Sequence, residues 1–528
     1  MSVSTYIALS ILLPFASSIL ILMSGSRPNQ REAVTIVTSL ATFYCVLQVL
    51  PPVLAGEMPK LSVVEELPGL HLAFAVEPLG MMFALIASFL WIVTSFYAIG
   101  YMRGHNEPNQ TRFYMCFAIA ISSAIAVAFS ANMFSLFISY EVLTLSTYPL
   151  VTHSQTPEAK RAGRVYLGIL MSTSIGLLFV GIIWTWWVAG TLDFTKGGIL
   201  KGKIDDGFVV VLLFLYIYGI GKAALMPIHR WLPAAMVAPT PVSALLHAVA
   251  VVKAGVFAVL KVIIYIFGAD YLRETGATIW LMYVAGGTIL LASLVALTKD
   301  NLKARLAYST VSQLSYIVLA GALATSMSLL GGALHIAMHA FGKITLFFCA
   351  GAIMVASHKT EISQMRGLGW RMPFTFGAFL IGALSVIGLP PLGGSWSKWY
   401  IALGAADAHQ MIFIAVLMIS SLLNVAYLVP VFARGFFGPR SEEAAQMADD
   451  HHHAGEHHAG EHHAGEHHDG GHHDGSHGHA AHAKAQGRGR IQEAPLFCVV
   501  PLWITALGCV ALFLFADRIV AMLMPIVK

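Results

Sequence analysis

Charged residues are scarce in this chain. Only 11% of its 528 residues are Asp, Glu, Lys or Arg, whereas about 25% is usual for a soluble domain. Apolar residues make up 57%, and runs of roughly 20 of them, enough to cross a hydrocarbon core, recur along the whole sequence. A soluble globular fold is therefore excluded. The net charge of +4 is small and spread over the connections, which excludes a nucleic-acid-binding surface.

Motifs of soluble catalysis are also missing. The five cysteines occur singly in apolar stretches, without the paired spacing of a zinc site, a disulfide scaffold or an iron–sulfur cluster. There is no phosphate-binding loop and no dinucleotide fingerprint after a strand. We therefore expect no cofactor, and a transporter subunit rather than an enzyme. The first apolar run lacks a basic start and an Ala-x-Ala cleavage site, which predicts a retained helix instead of a signal peptide.

The apolar runs predict an all-α integral membrane protein, because lipid offers the backbone no hydrogen-bond partners. Polar breaks divide these runs into fourteen spans, with the fourth and fifth separated near Ser130. The predicted spans are 5–24, 32–52, 76–101, 112–130, 132–151, 165–189, 208–233, 242–268, 277–298, 303–325, 330–357, 371–405, 410–436 and 495–525.

Lysine and arginine in the short connections predict the orientation, because these residues concentrate on the cytoplasmic side. The even-numbered connections hold five of them: Lys60, Lys196, Lys201, Lys203 and Arg273. The odd-numbered connections hold thirteen: Arg27, Arg31, Arg103, Arg112, Lys160, Arg161, Arg164, Lys299, Lys303, Arg305, Lys359, Arg366 and Arg371. We therefore expect the odd-numbered connections in the cytoplasm and both termini outside.

Two of the predicted spans contain helix breakers. Pro227, Pro239 and Pro241 interrupt the region of the seventh and eighth spans, and a Pro-Pro-Leu-Gly-Gly run at 390–394 interrupts the twelfth. Proline inside a helix frees a carbonyl group and kinks the path. Broken segments that lie five spans apart are typical of transporters built from two inverted repeats. Spans four to eight and nine to thirteen are the predicted five-helix repeats.

A histidine-rich stretch separates the last two predicted spans. Residues 451–482 hold fourteen of the 23 histidines in near repeats of His-His-Ala-Gly-Glu, a composition that cannot form a packed core. We expect a disordered cytoplasmic loop that either buffers metal ions or protons or is an inert insert. The predicted organisation is an N-terminal three-helix region (1–111), two repeats (112–268 and 277–436), the loop region (437–494) and a C-terminal helix (495–528).

Ionisable residues inside apolar spans are the candidate functional residues, since each costs roughly 2.5 to 3.5 kcal/mol to insert. Burial disfavours the charged form of a lysine and a nearby carboxylate favours it, so a small change in their separation can load or release a proton. The candidates for such a chain are Glu141, Lys222, His247, Lys253, His335, His339, Lys343 and Lys398.

Alternative interpretations of these residues stay open at this point. Glu141 and Lys222 can alternatively form a structural ion pair that holds two helices together. His335 and His339 have the i, i+4 spacing of a metal site, but no carboxylate or cysteine adjoins them. Lys261 is expected to snorkel or to line a polar interior, without a functional role.

Several stretches resemble one known family, the antiporter-like subunits shared by respiratory complex I and Mrp-type cation/proton antiporters. The resemblance covers nearly the whole chain except the histidine-rich loop. Its most specific stretches are 139–141 (SYE), 221–233 (GKAALMPIHRWLP), 238–247 (APTPVSALLH), 300–310 (DNLKARLAYST) and 388–391 (GLPP).

The resemblance implies fourteen helices in two inverted five-helix halves. It also implies a glutamate–lysine pair in the first half, at Glu141 and Lys222, a central lysine at Lys253 and a terminal lysine at Lys398. The lysine at the last position and the chain end at Lys528, without a long lateral helix, make the chain most similar to the Mrp D subunit.

The expected function is that of a proton-translocating subunit in a multisubunit Na⁺/proton, or K⁺/proton, antiporter of a bacterial plasma membrane. Glu141 and Lys222 would take up a proton, Lys253 with His247, His339 and Lys343 would relay it, and Lys398 would exchange it with the other side. The expected partners are other membrane subunits and the lipid bilayer, without nucleic acid. The alternatives are a proton-pumping subunit of a quinone oxidoreductase or hydrogenase, a partner in bicarbonate uptake, and a metal-responsive binding protein.

Overall fold

The computed structural model describes residues 1–67, 70–437 and 491–527, and it describes only the backbone of 64–67 and 246–247. The predicted histidine-rich loop at 451–482 lies outside these residues. In chain order the elements are α1 (Val3–Met23), α2 (Pro28–Leu54), β1 (Lys60–Leu67), β2 (Leu70–Ala75), α3 (Pro78–Gly104), α4 (Gln110–Phe129), α5 (Met133–Val151), α6 (Pro157–Thr173), α7 (Phe179–Ala189), α8 (Asp206–Gly219), α9 (Trp231–Ala234), α10 (Thr240–Ala244), α11 (Val251–Lys261), α12 (Ala269–Thr275), α13 (Ile279–Thr298), α14 (Leu302–Leu323), α15 (Ser326–Ser357), α16 (Pro373–Ile387), α17 (Gly394–Asp407), α18 (Met411–Phe437), α19 (Leu496–Leu514) and α20 (Ala516–Leu523).

The helical membrane architecture predicted from the sequence is confirmed. Eleven helices in the described ranges are long and apolar enough to cross a membrane, or twelve when the bent pair of 251–267 and α12 is counted as one span. The predicted seventh and twelfth spans consist of shorter helices, α8 in the former and α16 with α17 in the latter. A total of fourteen crossings and the inverted repeats stay predictions. The predicted last span, 495–525, is wrong in extent, since it divides into α19 and α20 at Phe515.

The predicted break in the seventh span is confirmed, but proline is not its cause. Helix α8 ends at Gly219, and the chain continues as a 3₁₀ turn, Gly221–Ala223, before Pro227 is reached. Gly219 lies against another backbone, so that a Cβ there would be only 2.4 Å from the nitrogen of Leu178. The break therefore begins where two backbones meet closely.

The twelfth span is broken at a glycine. Helix α16 ends at Ile387, and Gly388 has a left-handed conformation with φ of 92°, which a residue with a side chain adopts at a cost. Helix α17 then starts at Gly394, where a Cβ would be 1.9 Å from the carbonyl oxygen of Ser385. Glycine is therefore required on both sides of the break.

The eighth span is irregular at both ends. A π-helical turn, Leu245–Val249, precedes α11, and a second one, Val262–Phe267, follows it. Helix α12 then bends away by 77°. Such wide turns are rare and occur frequently at functional sites.

A β-hairpin departs from the all-helical prediction. Strands β1 and β2 pair antiparallel, and the connection after α4 joins them through Ala131, whose N–H donates to Ala73. The N–H of Phe194 donates in turn to the carbonyl of Ala131 at 3.1 Å. We call this side of the molecule, formed by the connections 60–75, 130–132, 190–205 and 268–278, the hairpin face.

The opposite side carries the connections 24–27, 105–109, 152–156, 299–301 and 358–372, and we call it the cationic face. Arg112 donates to the carbonyl oxygen of His153 at 2.7 Å, and Asn301 donates to Glu361 at 2.9 Å. These contacts bring together the connections that the sequence predicts to be cytoplasmic. The side of the membrane on which they lie stays a prediction.

The most buried of the long helices are α14, α4, α3 and α15. In α14, 94% of the most apolar 18-residue window is buried, against 33% in α1. Helix α11 packs on the 3₁₀ turn that carries Lys222. Its Gly255 lies so close that a Cβ would be 2.4 Å from the carbonyl carbon of Lys222.

We expect Gly255→Ala to destabilise the protein, because the added methyl group meets backbone atoms that cannot rotate away. The predicted effect is a thermal midpoint in detergent lower by about 3 °C or more. The control is Gly168→Ala in α6, where no heavy atom lies within 4 Å of the new Cβ. Equal midpoints for the two variants would show that the contact at Gly255 is not tight.

Candidate functional site

Lys222 is held on the broken segment that follows α8. Its side chain is fully buried, and its ammonium group donates to the carbonyl oxygen of Tyr140 at 2.8 Å and to the hydroxyl of Thr144 at 2.5 Å. It also lies 3.0 Å from the ring centroid of Tyr140, within range of a cation–π contact. All of these hydrogen-bond acceptors are neutral.

Glu141 is the residue next to the one that Lys222 binds. Both of its carboxylate oxygens are buried and have no hydrogen-bond partner in the described part of the chain. The two predicted partners therefore lie on elements in contact, but the ammonium of Lys222 binds main-chain and hydroxyl oxygens of α5 instead of this carboxylate. A buried carboxylate without a donor is energetically costly.

Lys253 makes the contact across the two predicted repeats. It lies on α11, is fully buried, and its ammonium nitrogen contacts Nδ1 of His339 on α15. The imidazole of His339 stacks on that of His335, with ring centroids 5.7 Å apart. Lys253, His339 and His335 thus contact one another in this order. The side chain of His247 lies outside the described part.

A buried hydrogen-bonded chain continues from His335 to Lys398. Nε2 of His335 lies 3.1 Å from Oε1 of Gln313, and Nδ1 lies 2.8 Å from the hydroxyl of Ser397. The amide of Asn424, oriented by its neighbours, places its oxygen 3.1 Å from Nε2 of Gln313 and 3.3 Å from the ammonium of Lys398. The amides cannot carry a proton themselves, and they fix the distance between the two titratable ends.

Lys398 lies directly beyond the break in the twelfth span. Its ammonium donates to the carbonyl oxygen of Ile387 at 2.8 Å and to the hydroxyl of Ser421 at 3.2 Å. Ile387 is the last residue of α16, and a carbonyl there has no partner within its own helix. The break therefore supplies the acceptor that holds Lys398.

Lys343, on α15, also binds a main-chain carbonyl, but this one lies within α14 and not at a helix end. Its ammonium donates to the carbonyl oxygen of Leu306 at 3.2 Å. One turn earlier, Lys303 lines a cavity of about 210 Å³ on the cationic face. The other polar residues around this cavity include Tyr101, His105, Glu107, Thr240 and Lys359. The cavity reaches to within one helical turn of the carbonyl that Lys343 binds.

Titratable groups surround the mouth of this cavity. Glu107 lies between His105 and His153, whose Nε2 atoms are each 3.9 Å from one of its oxygens. Burial raises the pKa of the Glu107 carboxyl, although the nearby imidazole of His105 and ammonium of Lys303 oppose the shift. Burial, together with the charge of Arg112, lowers the pKa of His153 to about 4.

Sequence reasoning missed the uncharged members of the site, because it considered only ionisable residues inside spans. Gln313, Asn424 and Thr144 are polar side chains in apolar helices and could have been found by widening that search. The carbonyl oxygens of Tyr140 and Ile387 accept hydrogen bonds from Lys222 and Lys398, and no residue pattern in the sequence indicates these contacts. Of the two expectations for Lys261, snorkelling is wrong, since its side chain is 2% exposed and pairs with Glu77 in a polar interior.

A family model described as NADH:quinone oxidoreductase/Mrp antiporter, TM, matches residues 130–424. Subunit N of the NADH-quinone oxidoreductase of Desulforudis audaxviator is 32% identical over 365 residues, which are 68% of this chain and 72% of that protein. Hydrogenase-4 component B of Escherichia coli is 32% identical over 72% of this chain. The match covers 59% of that component and 51% of chain 5 of the Synechocystis NAD(P)H-quinone oxidoreductase, so the chain spans only part of these relatives.

Two solved structures share the fold over nearly the full length. A chain of the Mrp complex from Dietzia sp. DQ12-45-1b has a TM-score of 0.82 and 20% identity, with 100% of this chain and 97% of that chain covered. A chain of the membrane-bound sulfane sulfur reductase, an archaeal respiratory membrane complex, has a TM-score of 0.81 and 22% identity, with 99% and 97% covered. At these identities the likeness concerns the fold alone.

We expect His153 to make the protein sensitive to acid. Its folded pKa of about 4 is below the unfolded value of about 6.5, so its contribution to stability is present above pH 6.5 and is lost as the pH falls towards 4. His153→Phe, which fits beside the ring of Phe113, should reduce the loss of thermal stability between pH 7.5 and 5, by about 1–3 kcal/mol. The exposed His409→Phe is the control, and identical pH slopes for both variants and the parent would contradict the prediction.

Proposed function

The chain belongs to the NADH:quinone oxidoreductase/Mrp antiporter transmembrane family, and from this premise we propose that it is the proton-translocating subunit of a multisubunit Na⁺/proton, or K⁺/proton, antiporter. It acts with other membrane subunits and is not itself an enzyme. Within the family, the subunit type that we propose is Mrp D. The proposed location is a bacterial plasma membrane, with the cationic face in the cytoplasm and both termini outside.

One observation carries this proposal. A buried polar chain runs from the Lys253–His339 contact through His335, Gln313 and Asn424 to Lys398. Ionisable groups at this depth are expensive in a membrane protein, and they are typical of proton relays. A chain that served only to hold helices together would not need lysine or histidine at its two ends.

The first half loads the proton. In this proposal the Lys222 side chain has two positions, one on the Tyr140 carbonyl and one on the Glu141 carboxylate. Movement towards Glu141 makes an ion pair and favours the charged lysine, and the return movement favours release of the proton. The unpartnered carboxylate of Glu141 supports the second position.

Transfer to Lys253 follows from the packing of α11 on the turn that carries Lys222. Lys253 passes the proton to His339, and Lys398 exchanges it with the opposite side of the membrane. His247 and Lys343 are further members of this proposed path. The cavity at Lys303 supports exchange of protons between the cytoplasm and the neighbourhood of Lys343.

A redox-driven complex is the second candidate function. It is favoured by the names of two relatives, an NADH-quinone oxidoreductase subunit and a hydrogenase component. In such a complex the same proton path would be driven by electron transfer in other subunits. The buried residues are compatible with both couplings, so the driving force must be measured.

The two functions are distinguished by expressing the chain with the membrane subunits encoded beside it in an antiporter-deficient host. Inverted vesicles receive a pulse of NaCl or KCl, and the internal pH is followed with a fluorescent dye. A salt-induced pH change supports antiport. A pH change that requires NADH, hydrogen or another electron donor, without any response to salt, supports the redox-driven pump instead.

Lys222→Ala and Glu141→Ala should each lower the proton flux at least tenfold at parental expression, because each removes one position of the proposed switch. The flux is measured in the same vesicles, with whichever driving force acts on the parent. Lys201→Ala, an exposed lysine on the hairpin face, is the control and should keep at least half of the flux. Full flux in Lys222→Ala would rule out this assignment.

Asn424→Leu should also slow transport at least tenfold, because leucine has a similar volume but offers Lys398 and Gln313 no amide. Assembly should be unchanged in a size-exclusion profile. Ser293→Ala is the matched control, since Ser293 bonds Ser312 and Ser420 in the same region without touching Lys398. Parental flux in Asn424→Leu would mean that the amide link has no part in the path.

A further inference from the structure

A second buried cluster of titratable groups lies beneath the hairpin face, and the path above does not use it. Glu77 precedes α3, and one of its carboxylate oxygens accepts a hydrogen bond from the ammonium of Lys261 at 2.7 Å. The hydroxyl of Tyr265 donates to the other oxygen. The side chains of Glu77 and Lys261 are only 7% and 2% exposed. Glu77 lies outside the residues that the family model matches.

The local structure directs all three groups to one point. Lys261 is the last residue of α11, and Tyr265 belongs to the π-helical turn that follows it directly. The connection across the hairpin face covers the cluster, with the ring of Phe194 at 4.1 Å from the Lys261 ammonium. The N–H of Ile199 in the same connection donates to Ile266 of the π-helical turn.

The cluster lies on the same helix as the central lysine. Lys261 follows Lys253 by eight residues, which corresponds to about 12 Å along a helix. Phe257 lies halfway between them, and its ring packs against that of Phe83 with 5.2 Å between centroids. The Phe257–Phe83 contact thus separates Lys253 from Lys261, and a proton can pass between the two lysines only when water enters there or the rings move.

Stability alone is a weak reason for such a cluster. The free-energy cost of removing two charges from water often exceeds the gain from their attraction. A protein with two apolar residues of similar volume in their place is frequently as stable. A carboxylate, an ammonium and a phenol in direct contact can, however, exchange protons among themselves with little motion. This combination at the end of α11 indicates transfer.

We propose that Glu77, Lys261 and Tyr265 form a proton-transfer site that connects Lys253 with the hairpin face. Lys261 passes its proton to Glu77, which leaves a neutral amine and a neutral carboxylic acid. The acid releases the proton at the hairpin face, and the amine takes up the next proton from Lys253, so that charge and protons balance. The Tyr265 hydroxyl holds the carboxylate in place between these steps. This inference rests on the proposed function of the chain in proton transfer, but not on the driving ion.

The test compares two ways of removing the charges. Glu77→Gln alone leaves the Lys261 ammonium buried without a counter-charge, and poor assembly is expected of it for structural reasons. The double variant Glu77→Gln/Lys261→Gln removes both charges and keeps polar groups that can bond each other and Tyr265. If the pair were purely structural, the double variant would recover both assembly and transport.

The complete complex with its native partner subunits is reconstituted in liposomes that contain a pH-sensitive dye. Proton flux is driven by the salt gradient or the electron donor that acts on the parent. We expect the double variant to assemble and to lose at least tenfold of the flux. Lys201→Gln/Glu274→Gln, which neutralises an exposed ion pair on the same face, is the matched control and should stay within twofold of the parent.

A double variant that assembles and transports within twofold of the parent overturns the proposal. If the double variant does not assemble, Tyr265→Phe decides, since it removes one hydroxyl group only. A loss of about tenfold supports the site, and the parental rate overturns it. Lys222→Ala is measured in the same liposomes. Full flux in Lys222→Ala together with a loss in the double variant refutes the main path and keeps this site. A loss in Lys222→Ala together with parental flux in the double variant refutes this site alone. A parent that moves no protons under any driving force refutes both.

Discussion

The need to satisfy lysine ammonium groups inside an apolar protein is the constraint on which the site depends. Lys222, Lys343 and Lys398 all bind main-chain carbonyl oxygens, and Lys253 binds an imidazole nitrogen. Neutral acceptors favour the charged form of a lysine less strongly than a nearby carboxylate does. In the proposed path, these lysines gain and lose a proton as their surroundings change.

Breaks in the helices help to meet this constraint at Lys222 and Lys398. An intact helix uses nearly all of its carbonyl groups internally, so a lysine needs a helix end or a competing side-chain bond to find an acceptor. The end of α16 supplies the Ile387 carbonyl to Lys398, and the turn after α8 lets Lys222 reach across to α5. Glycines at 219, 255 and 394 allow the backbones to come close enough for these contacts.

The two faces of the molecule differ in how charge is arranged around the core. On the cationic face a cavity with histidine, lysine and glutamate side chains reaches towards α14 and Lys343. On the hairpin face the charges of Glu77 and Lys261 are paired and covered by the connection that holds Phe194. Charged groups are thus accessible from a cavity on one face and covered on the other.

The sequence by itself determined the membrane class, most helix positions, the division near Ser130 and the two broken spans, because span length and polar breaks are local properties of the chain. It also identified Lys253, His335, His339 and Lys398, since a charged or histidine side chain in an apolar run is visible without a structure. It did not indicate the hairpin, the helix end at Gly219, or the Gln313–Asn424 link. Only the tertiary structure decided that Lys222 binds the Tyr140 carbonyl instead of Glu141, and that Lys261 pairs with Glu77 from a distant helix. These contacts join groups far apart in the chain, and the acceptors are often backbone atoms that every residue possesses, so no pattern of side chains encodes them.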